Sequence, residues 1–138
     1  FTKPKVKGLN FSFSGLKTAI LYFIKKETEK NPDFVIENIN NICASIQYTI
    51  VSILNDKLRM AVNQTGINRI ALGGGVSANS AIRQSLKKAE KIHGWKTYIP
   101  DFEYTTDNAA MIAIVGYLKY LKKDFATQSS TASARLKI

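Results

Sequence analysis

The chain has 138 residues, of which 45% are hydrophobic, and it carries a formal net charge of +10 at pH 7. This length and apolar content fit one globular domain with its own core and exclude an intrinsically disordered chain. No apolar run approaches the roughly eighteen residues of a membrane-spanning helix, and no charged leader precedes an apolar segment, so nothing supports membrane insertion or secretion.

The first predicted elements are a strand and a helix. Residues 10–14 alternate apolar and polar side chains, which is typical of a short strand. Residues 16–29 carry apolar side chains at helical spacing and are predicted to be a helix. Lys17 lies in the turn between them and could face a ligand as a cation, but we favour a plain turn capped by a serine.

A second, longer helical pattern follows. Asn31 is predicted to cap this helix, and Pro32 suits its first position. Isoleucines then recur every three or four residues, which predicts one long helix, or two separated near residue 40, ending at Gly66. Cys43, the single cysteine, lies in this pattern. We expect a buried, inert thiol there and infer a cytoplasmic location from the absence of any possible internal disulfide.

A strand, a helix and a second strand are predicted over residues 70–99. Residues 70–72 form a short buried strand, Ser77 is the predicted cap of a helix that ends at Gly94, and residues 96–99 form the second strand. This order is that of a βαβ unit, whose ligands lie at the carboxyl ends of the strands. The loops after the two strands are therefore expected at one edge of the sheet.

Three consecutive glycines, Gly73, Gly74 and Gly75, follow the first strand of this unit. Glycines let a ligand approach the main chain, and the start of the next helix favours an anion. The spacing differs from both the P-loop and the dinucleotide fingerprint, so a plain kinase or dehydrogenase is disfavoured. The pattern indicates a nucleotide or acyl-phosphate site, and a tight connection without a ligand is an equal alternative.

The last predicted helix starts near residue 106 and ends near residue 123, before a Ser/Thr-rich tail that we expect to be weakly structured over residues 124–138. Asp107 and Asn108 stand at its start. Both could be helix caps, and this interpretation comes first on spacing alone. The alternative makes Asp107 a carboxylate ligand of a metal ion beside the glycines.

The positive charge comes from 20 Lys and Arg residues against 10 Asp and Glu. Such a field attracts polyanions such as RNA. Arg83, Lys87 and Lys91 are four residues apart and share one face of a predicted helix, so they are the best candidate for a ridge that contacts RNA phosphates. An ordinary solvated face is at least as good an interpretation. His93, the only histidine, cannot build a histidine-pair metal site.

Four segments occur in a familiar order and spacing: residues 10–19 (NFSFSGLKTA), 64–66 (QTG), 72–80 (LGGGVSANS) and 106–113 (TDNAAMIA). Together they resemble the C-terminal portion of the tRNA N6-adenosine threonylcarbamoyltransferase family, once described as O-sialoglycoprotein endopeptidases. The resemblance covers nearly the whole chain. It implies an α/β fold, namely the helix-rich part of a two-lobed actin/Hsp70-like (ribonuclease-H-like) architecture with short strands and βαβ units. The chain opens at Phe1 and not at Met, so we expect a fragment or a processed piece, and the resemblance implies that residues 1–138 are a single C-terminal fragment.

The resemblance also implies an activity and site residues. Members of this family transfer threonylcarbamoyl from threonylcarbamoyl-adenylate to N6 of the adenosine next to the anticodon, in tRNAs that read codons starting with A. Asn79 resembles the asparagine that contacts the adenylate, with the backbone of Gly73, Gly74 and Gly75 lining the same pocket. Asp107 resembles one ligand of a divalent metal ion, iron or zinc. The family's other ligands belong to a His-x-x-x-His motif that this chain lacks, so the fragment is expected to be inactive alone, with no catalytic residue assigned.

The implied partners are tRNA, threonylcarbamoyl-adenylate, a paralogous subunit and an ATPase subunit, with no membrane. Two alternatives remain open at this point. The chain could belong to an actin/Hsp70-like ATPase or sugar-kinase-like lobe, in which Asp107 would only cap a helix. It could also be a non-catalytic paralogous subunit of the same complex. A peptidase would need a zinc site with several histidines, and the chain has one.

Overall fold

The computed structural model describes residues 1–131, and the last seven residues of the predicted weak tail lie outside them. The described residues contain four helices and a sheet of two parallel strands that pair Arg69 with Lys96 and Ala71 with Tyr98. The α/β class predicted from the sequence is thus confirmed. In chain order the elements are α1 (Phe13–Lys30), α2 (Phe34–Thr65), β1 (Arg69–Ala71), α3 (Ser80–His93), β2 (Lys96–Tyr98) and α4 (Ala109–Leu121).

The predicted strand over residues 10–14 is wrong. Helix α1 begins at Phe13, so the last two residues of that segment form its first turn. A strand needs a neighbour for its backbone N–H and C=O groups, and none lies beside this segment within residues 1–131. The residues before α1 are instead held on α2, where the Lys57 ammonium donates to the backbone oxygens of Val6 and Gly8.

Helix α2 is continuous across residue 40, so the single-helix prediction is the correct one. Gly66 ends it in the left-handed conformation, as predicted, with φ of 71°. The predicted start is wrong by two residues, because Asn31 and Pro32 precede the helix and the side-chain oxygen of Asn31 accepts from the backbone N–H of Asp33. Pro32 therefore lies in a turn.

The prediction of a buried Cys43 is also wrong, since this thiol is exposed. The buried positions of α2 are Ile42, Thr49 and Ile53, which lie on one side of the helix. Each residue turns an α-helix by about 100°, so the residue after Ile42 points away from that side. Helical spacing of the apolar residues predicted the buried face of α2 only approximately.

The core lies where α2 and α3 cover the sheet. Ile70 of β1, Trp95 beside β2, and three residues of α3 (Ile82, Leu86 and Ala89) form its buried cluster. The three α3 positions follow the i, i+4, i+7 spacing of one helical face. Half-buried α2 side chains complete the cluster, so packing of α2 fixes the βαβ unit predicted from the sequence.

Helix α3 is also tied to the outer edge of β2. The Glu90 carboxylate accepts from the Thr97 backbone N–H at 2.9 Å and from its hydroxyl at 2.6 Å. These two bonds, the hydroxyl first, lower the pKa of Glu90 below its ordinary value of 4.5. A backbone donor at the free edge of a short sheet thus has a partner.

We expect the stabilising effect of Glu90 to depend on pH. A carboxyl with a lowered folded-state pKa stabilises the fold above its ordinary value of 4.5, and this contribution is lost as pH falls through the lower folded-state value. Glu90→Ala should therefore lower the urea midpoint at pH 7, and the difference from wild type should shrink steadily below pH 4.5. Glu29→Ala, at an exposed position of α1, is the matched control. A Glu90→Ala difference that stays constant across this range would contradict the role of the charge.

Helix α4 starts later than predicted, at Ala109, and ends at Leu121. Every residue in it is exposed, although its sequence is largely apolar. No helix in the part of the chain that the structure describes is both long and apolar enough to cross a membrane. Residues 124–131 continue from α4 without a further helix or strand.

Candidate functional site

The glycines predicted to line a ligand pocket form the loop between β1 and α3. Gly74 has φ of 77° and ψ of 174°, a conformation that is essentially confined to glycine. A 3₁₀ turn over Gly75–Ala78 follows, closed by the Ser77 N–H that donates to the Gly74 oxygen at 2.9 Å. All three glycines are exposed, and a Cβ on any of them would meet nothing within 4 Å. At these three positions the exposed surface is therefore main chain.

Asn79, not Ser77, caps α3. Its side-chain oxygen accepts from the N–H groups of Ala81 and Ile82 at 3.0 and 3.1 Å. The predicted serine cap is wrong because the 3₁₀ turn moves the start of the helix to Ser80. This cap uses the amide oxygen of Asn79, and the donors of its NH₂ group take no part in it.

Ser77 has a different place from the predicted one. The residue is fully buried, and its hydroxyl oxygen has no hydrogen-bond partner among the described residues. A buried hydroxyl without a partner destabilises a fold, commonly by about 1–3 kcal/mol. The glycine loop therefore holds one polar group that its own neighbours leave unsatisfied. Sequence reasoning missed this, because a serine before a helix is more often a cap.

Asp107 lies in the second loop, which follows β2 and leads into α4. Capping of α4 falls to Asn108, whose side-chain oxygen accepts from the Met111 N–H at 3.1 Å while its NH₂ group donates to the Thr106 oxygen at 2.9 Å. Asp107 is exposed and does not cap the helix. Its capping role, the first interpretation from spacing, is therefore wrong, and that of Asn108 is confirmed.

Arg83 links the two loops. Its guanidinium donates to the backbone oxygen of Ser77 at 2.9 Å and to that of Pro100 at 2.6 Å, and it lies 4.3 Å from the ring centre of Phe102. Arg83 therefore does not form the predicted exposed ridge with Lys87 and Lys91. Its guanidinium is half-buried and donates to main-chain oxygens of the protein itself. The loops after β1 and β2 meet at one edge of the sheet, as the βαβ order of the sequence predicted.

The two lysines of that predicted ridge are exposed on α3. Lys87 lies 3.3 Å from the Glu90 carboxylate, a contact of low strength at such exposure. Lys91 stands in the last helical turn, where a cation complements the helix dipole. His93 shares that turn, and its ring centre is 5.1 Å from that of Trp95. These positions fit an ordinary solvated face as well as a phosphate contact.

The His, Cys, Asp and Glu side chains of residues 1–131 do not gather into a metal site. Within residues 1–131 no group of three or more His, Cys, Asp or Glu side chains could hold a metal ion. Divalent transition metals bound in proteins usually have three or four protein ligands. Asp107 is exposed and belongs to no such group among the described residues.

The family model described as tRNA N6-adenosine threonylcarbamoyltransferase matches residues 1–114. Curated relatives with the same name include that of Christiangramia forsetii, 66% identical over 99% of this chain, and that of Riemerella anatipestifer, 56% identical over all of it. The protein of Cytophaga hutchinsonii is 49% identical, again over the whole chain. In each case the match covers 40% of the relative, so the chain spans about two fifths of the length of these proteins.

Proposed function

The chain belongs to the tRNA N6-adenosine threonylcarbamoyltransferase family, and on this basis we propose that it is the C-terminal part of such an enzyme. The full-length protein would transfer threonylcarbamoyl from threonylcarbamoyl-adenylate to N6 of the adenosine next to the anticodon, in tRNAs that read codons starting with A. The actin/Hsp70-like two-lobed architecture belongs to the same proposal. The fragment alone would be inactive, because it supplies one part of the site.

The observation that carries this proposal is the glycine loop together with Asn79 at the start of α3. The exposed main chain from Gly73 to Gly75 can approach a phosphate, and the dipole of α3 favours an anion at its N-terminus. The Asn79 NH₂ group would donate to the adenylate while its oxygen stays on the helix cap. The site is thus suited to an adenylate and to the AMP that leaves.

The proposed reaction is an acyl transfer to an amine. N6 of the tRNA adenosine attacks the threonylcarbamoyl carbonyl carbon and forms a C–N bond. The bond from that carbon to the phosphate oxygen of the adenylate breaks, and N6 loses a proton. AMP leaves with the bonding electron pair, and its negative charge would be stabilised by the backbone donors of the glycine loop. The contribution of this chain would be to bind and orient the adenylate.

Partners and location are part of the same proposal. The net charge of +10 would help attract tRNA, with exposed lysines such as Lys87 and Lys91 as candidate phosphate contacts. A paralogous subunit and an ATPase subunit would assemble with the full-length protein in the cytoplasm. A divalent metal ion, iron or zinc, would take Asp107 as one ligand, with the others supplied from outside this chain.

Asn79 variants test the proposed adenylate contact in the full-length protein. Asn79→Ala removes both the helix cap and the donor, so we expect a stability loss of about 1 kcal/mol and at least tenfold weaker binding of AMP by calorimetry. Asn79→Ser keeps a capping oxygen but lacks the NH₂ group. This variant should retain most of the stability and still bind AMP weakly. If Asn79→Ser bound AMP with wild-type affinity, the assignment of Asn79 to the adenylate site would be wrong.

Metal binding tests the assignment of Asp107. A single carboxylate is a poor site, so the 138-residue chain alone should bind Zn²⁺ or Fe²⁺ with a dissociation constant weaker than about 100 μM. In the full-length protein, Asp107→Ala should reduce the metal content measured by mass spectrometry, and Asp101→Ala, at an exposed position of the same loop, is the matched control. Micromolar binding by the isolated chain that Asp107→Ala abolishes would mean that this chain carries a complete site.

A further inference from the structure

The Arg83 side chain, which projects from α3, contacts both the glycine loop and the loop after β2. One guanidinium nitrogen donates to the backbone oxygen of Ser77 at the end of the glycine loop, and another donates to that of Pro100 at the start of the second loop. The ring of Phe102 lies against the face of the same group. Arg83 and Asn79 lie in the same first turn of α3, where the backbone N–H of Arg83 makes the ordinary i→i−4 helix bond to the Asn79 oxygen at 3.1 Å.

We infer that Arg83 is a positioning residue, which fixes the glycine loop and Asn79 relative to the loop that carries Asp107. This inference rests on the proposed function, because it assigns Asn79 and Asp107 to one site. Arg83 itself need not touch the substrate. Its side chain binds main-chain oxygens on both sides, so a movement of either loop would stretch a charge-assisted hydrogen bond.

The geometry requires an arginine. A guanidinium is planar and presents several donors in a rigid fork, so it can reach two carbonyl oxygens that belong to different loops while its face stacks on Phe102. A lysine ammonium is a compact point charge on a flexible stem. It would keep the charge at this position without fixing the angle between the two loops.

The expected effect is on the chemical step. When reacting groups are displaced by about 1 Å, rates can fall by about a hundredfold. A loss of Arg83 would let the adenylate-binding loop and the Asp107 loop move independently, which lowers kcat more than it weakens adenylate binding. A residue that only stabilises the fold would lower the unfolding midpoint and leave kcat per folded molecule unchanged.

Four variants of the full-length protein distinguish a positioning role of Arg83 from a role in fold stability alone. Arg83→Met removes the donors and keeps the length of the stem, Arg83→Lys keeps the charge, and Phe102→Leu removes the stacked ring. Gln84→Met, at the next position of α3 and exposed, is the matched control. Hydrogen–deuterium exchange is measured on the peptides that contain residues 75–79 and 101–108, and transfer kinetics are measured at a temperature at which every variant is folded.

We expect Arg83→Met to raise exchange in both loops at once and to lower kcat at least tenfold, with a change in the KM for the adenylate of less than threefold. Arg83→Lys should recover part of this loss, Phe102→Leu should show a smaller effect of the same kind, and Gln84→Met should match wild type. Exchange that rises in one loop only, or an unchanged kcat in Arg83→Met, would overturn the inference. Hydrogen–deuterium exchange can be measured whether or not the protein is active. If the wild-type protein showed no transferase activity, the proposed function would be refuted, and the exchange data would still test whether Arg83 couples the two loops.

Discussion

Leu86→Ala is expected to lower the free energy of unfolding of the 138-residue chain by about 2–5 kcal/mol. Leu86 is 1% exposed and is the central side chain of the cluster between α3 and the sheet. Alanine there would remove buried apolar surface and leave a cavity that α3 cannot close while Asn79 and Glu90 hold its ends. Urea denaturation followed by the fluorescence of Trp95, the single tryptophan, measures the change from within the same cluster.

Leu86→Met is the control for this experiment. Methionine conserves the volume of leucine, and such exchanges usually cost less than about 1.5 kcal/mol. A loss below 1 kcal/mol for Leu86→Ala, or equal losses for the two variants, would mean that this cluster is not the core of the chain. The βαβ unit would then be stabilised elsewhere.

Gly74→Ala is expected to disrupt the glycine loop. With φ of 77° and ψ of 174°, Gly74 has a backbone conformation that alanine adopts only at a cost of about 1–3 kcal/mol. There is room for the added methyl group, because a Cβ at this position meets nothing within 4 Å. The cost is therefore one of backbone conformation, and relaxation of the loop should weaken AMP binding by the full-length protein at least tenfold.

Gly73→Ala is the matched control, since its Cβ also meets nothing within 4 Å and its φ is not positive. In the absence of ligand, Gly73→Ala should leave the urea midpoint close to wild type, while Gly74→Ala lowers it. If the two variants had the same midpoint and Gly74→Ala bound AMP like wild type, the left-handed backbone at residue 74 would have no role in the site.

The sequence predicted the elements of the βαβ unit well because their signals are local. The apolar spacing of α3 and the left-handed Gly94 after it define the helix. The apolar residues before the glycines locate the strand, although it is observed one residue earlier, over Arg69–Ala71, and only Ile70 in it is buried. The same kind of signal failed at residues 10–14. Alternation predicts a strand only if another strand lies beside it, and that condition depends on distant parts of the chain.

The candidate site could be predicted only where its signals are local in the sequence. The positions of Asn79 and the three glycines follow from their place after a strand, and Asn108 caps α4 as its residue type suggested. The role of Arg83 could not be derived, because one of its acceptors, Pro100, is 17 residues away in sequence. Helical spacing placed Arg83 on a face with Lys87 and Lys91 but could not give the direction of its side chain. The ligand roles of Asn79, the glycines and Asp107 stay predictions.

The central claim is that this chain supplies the adenylate-binding part of a threonylcarbamoyltransferase. The most direct measurement is the transfer of radiolabelled threonylcarbamoyl from its adenylate to unmodified tRNA by the full-length protein with its partner subunits, compared with the Asn79→Ser and Gly74→Ala variants. We expect label on N6 of the adenosine next to the anticodon with wild type, and at least tenfold lower rates with either variant. ATP hydrolysis without labelled tRNA, or wild-type transfer rates in both variants, would contradict the claim.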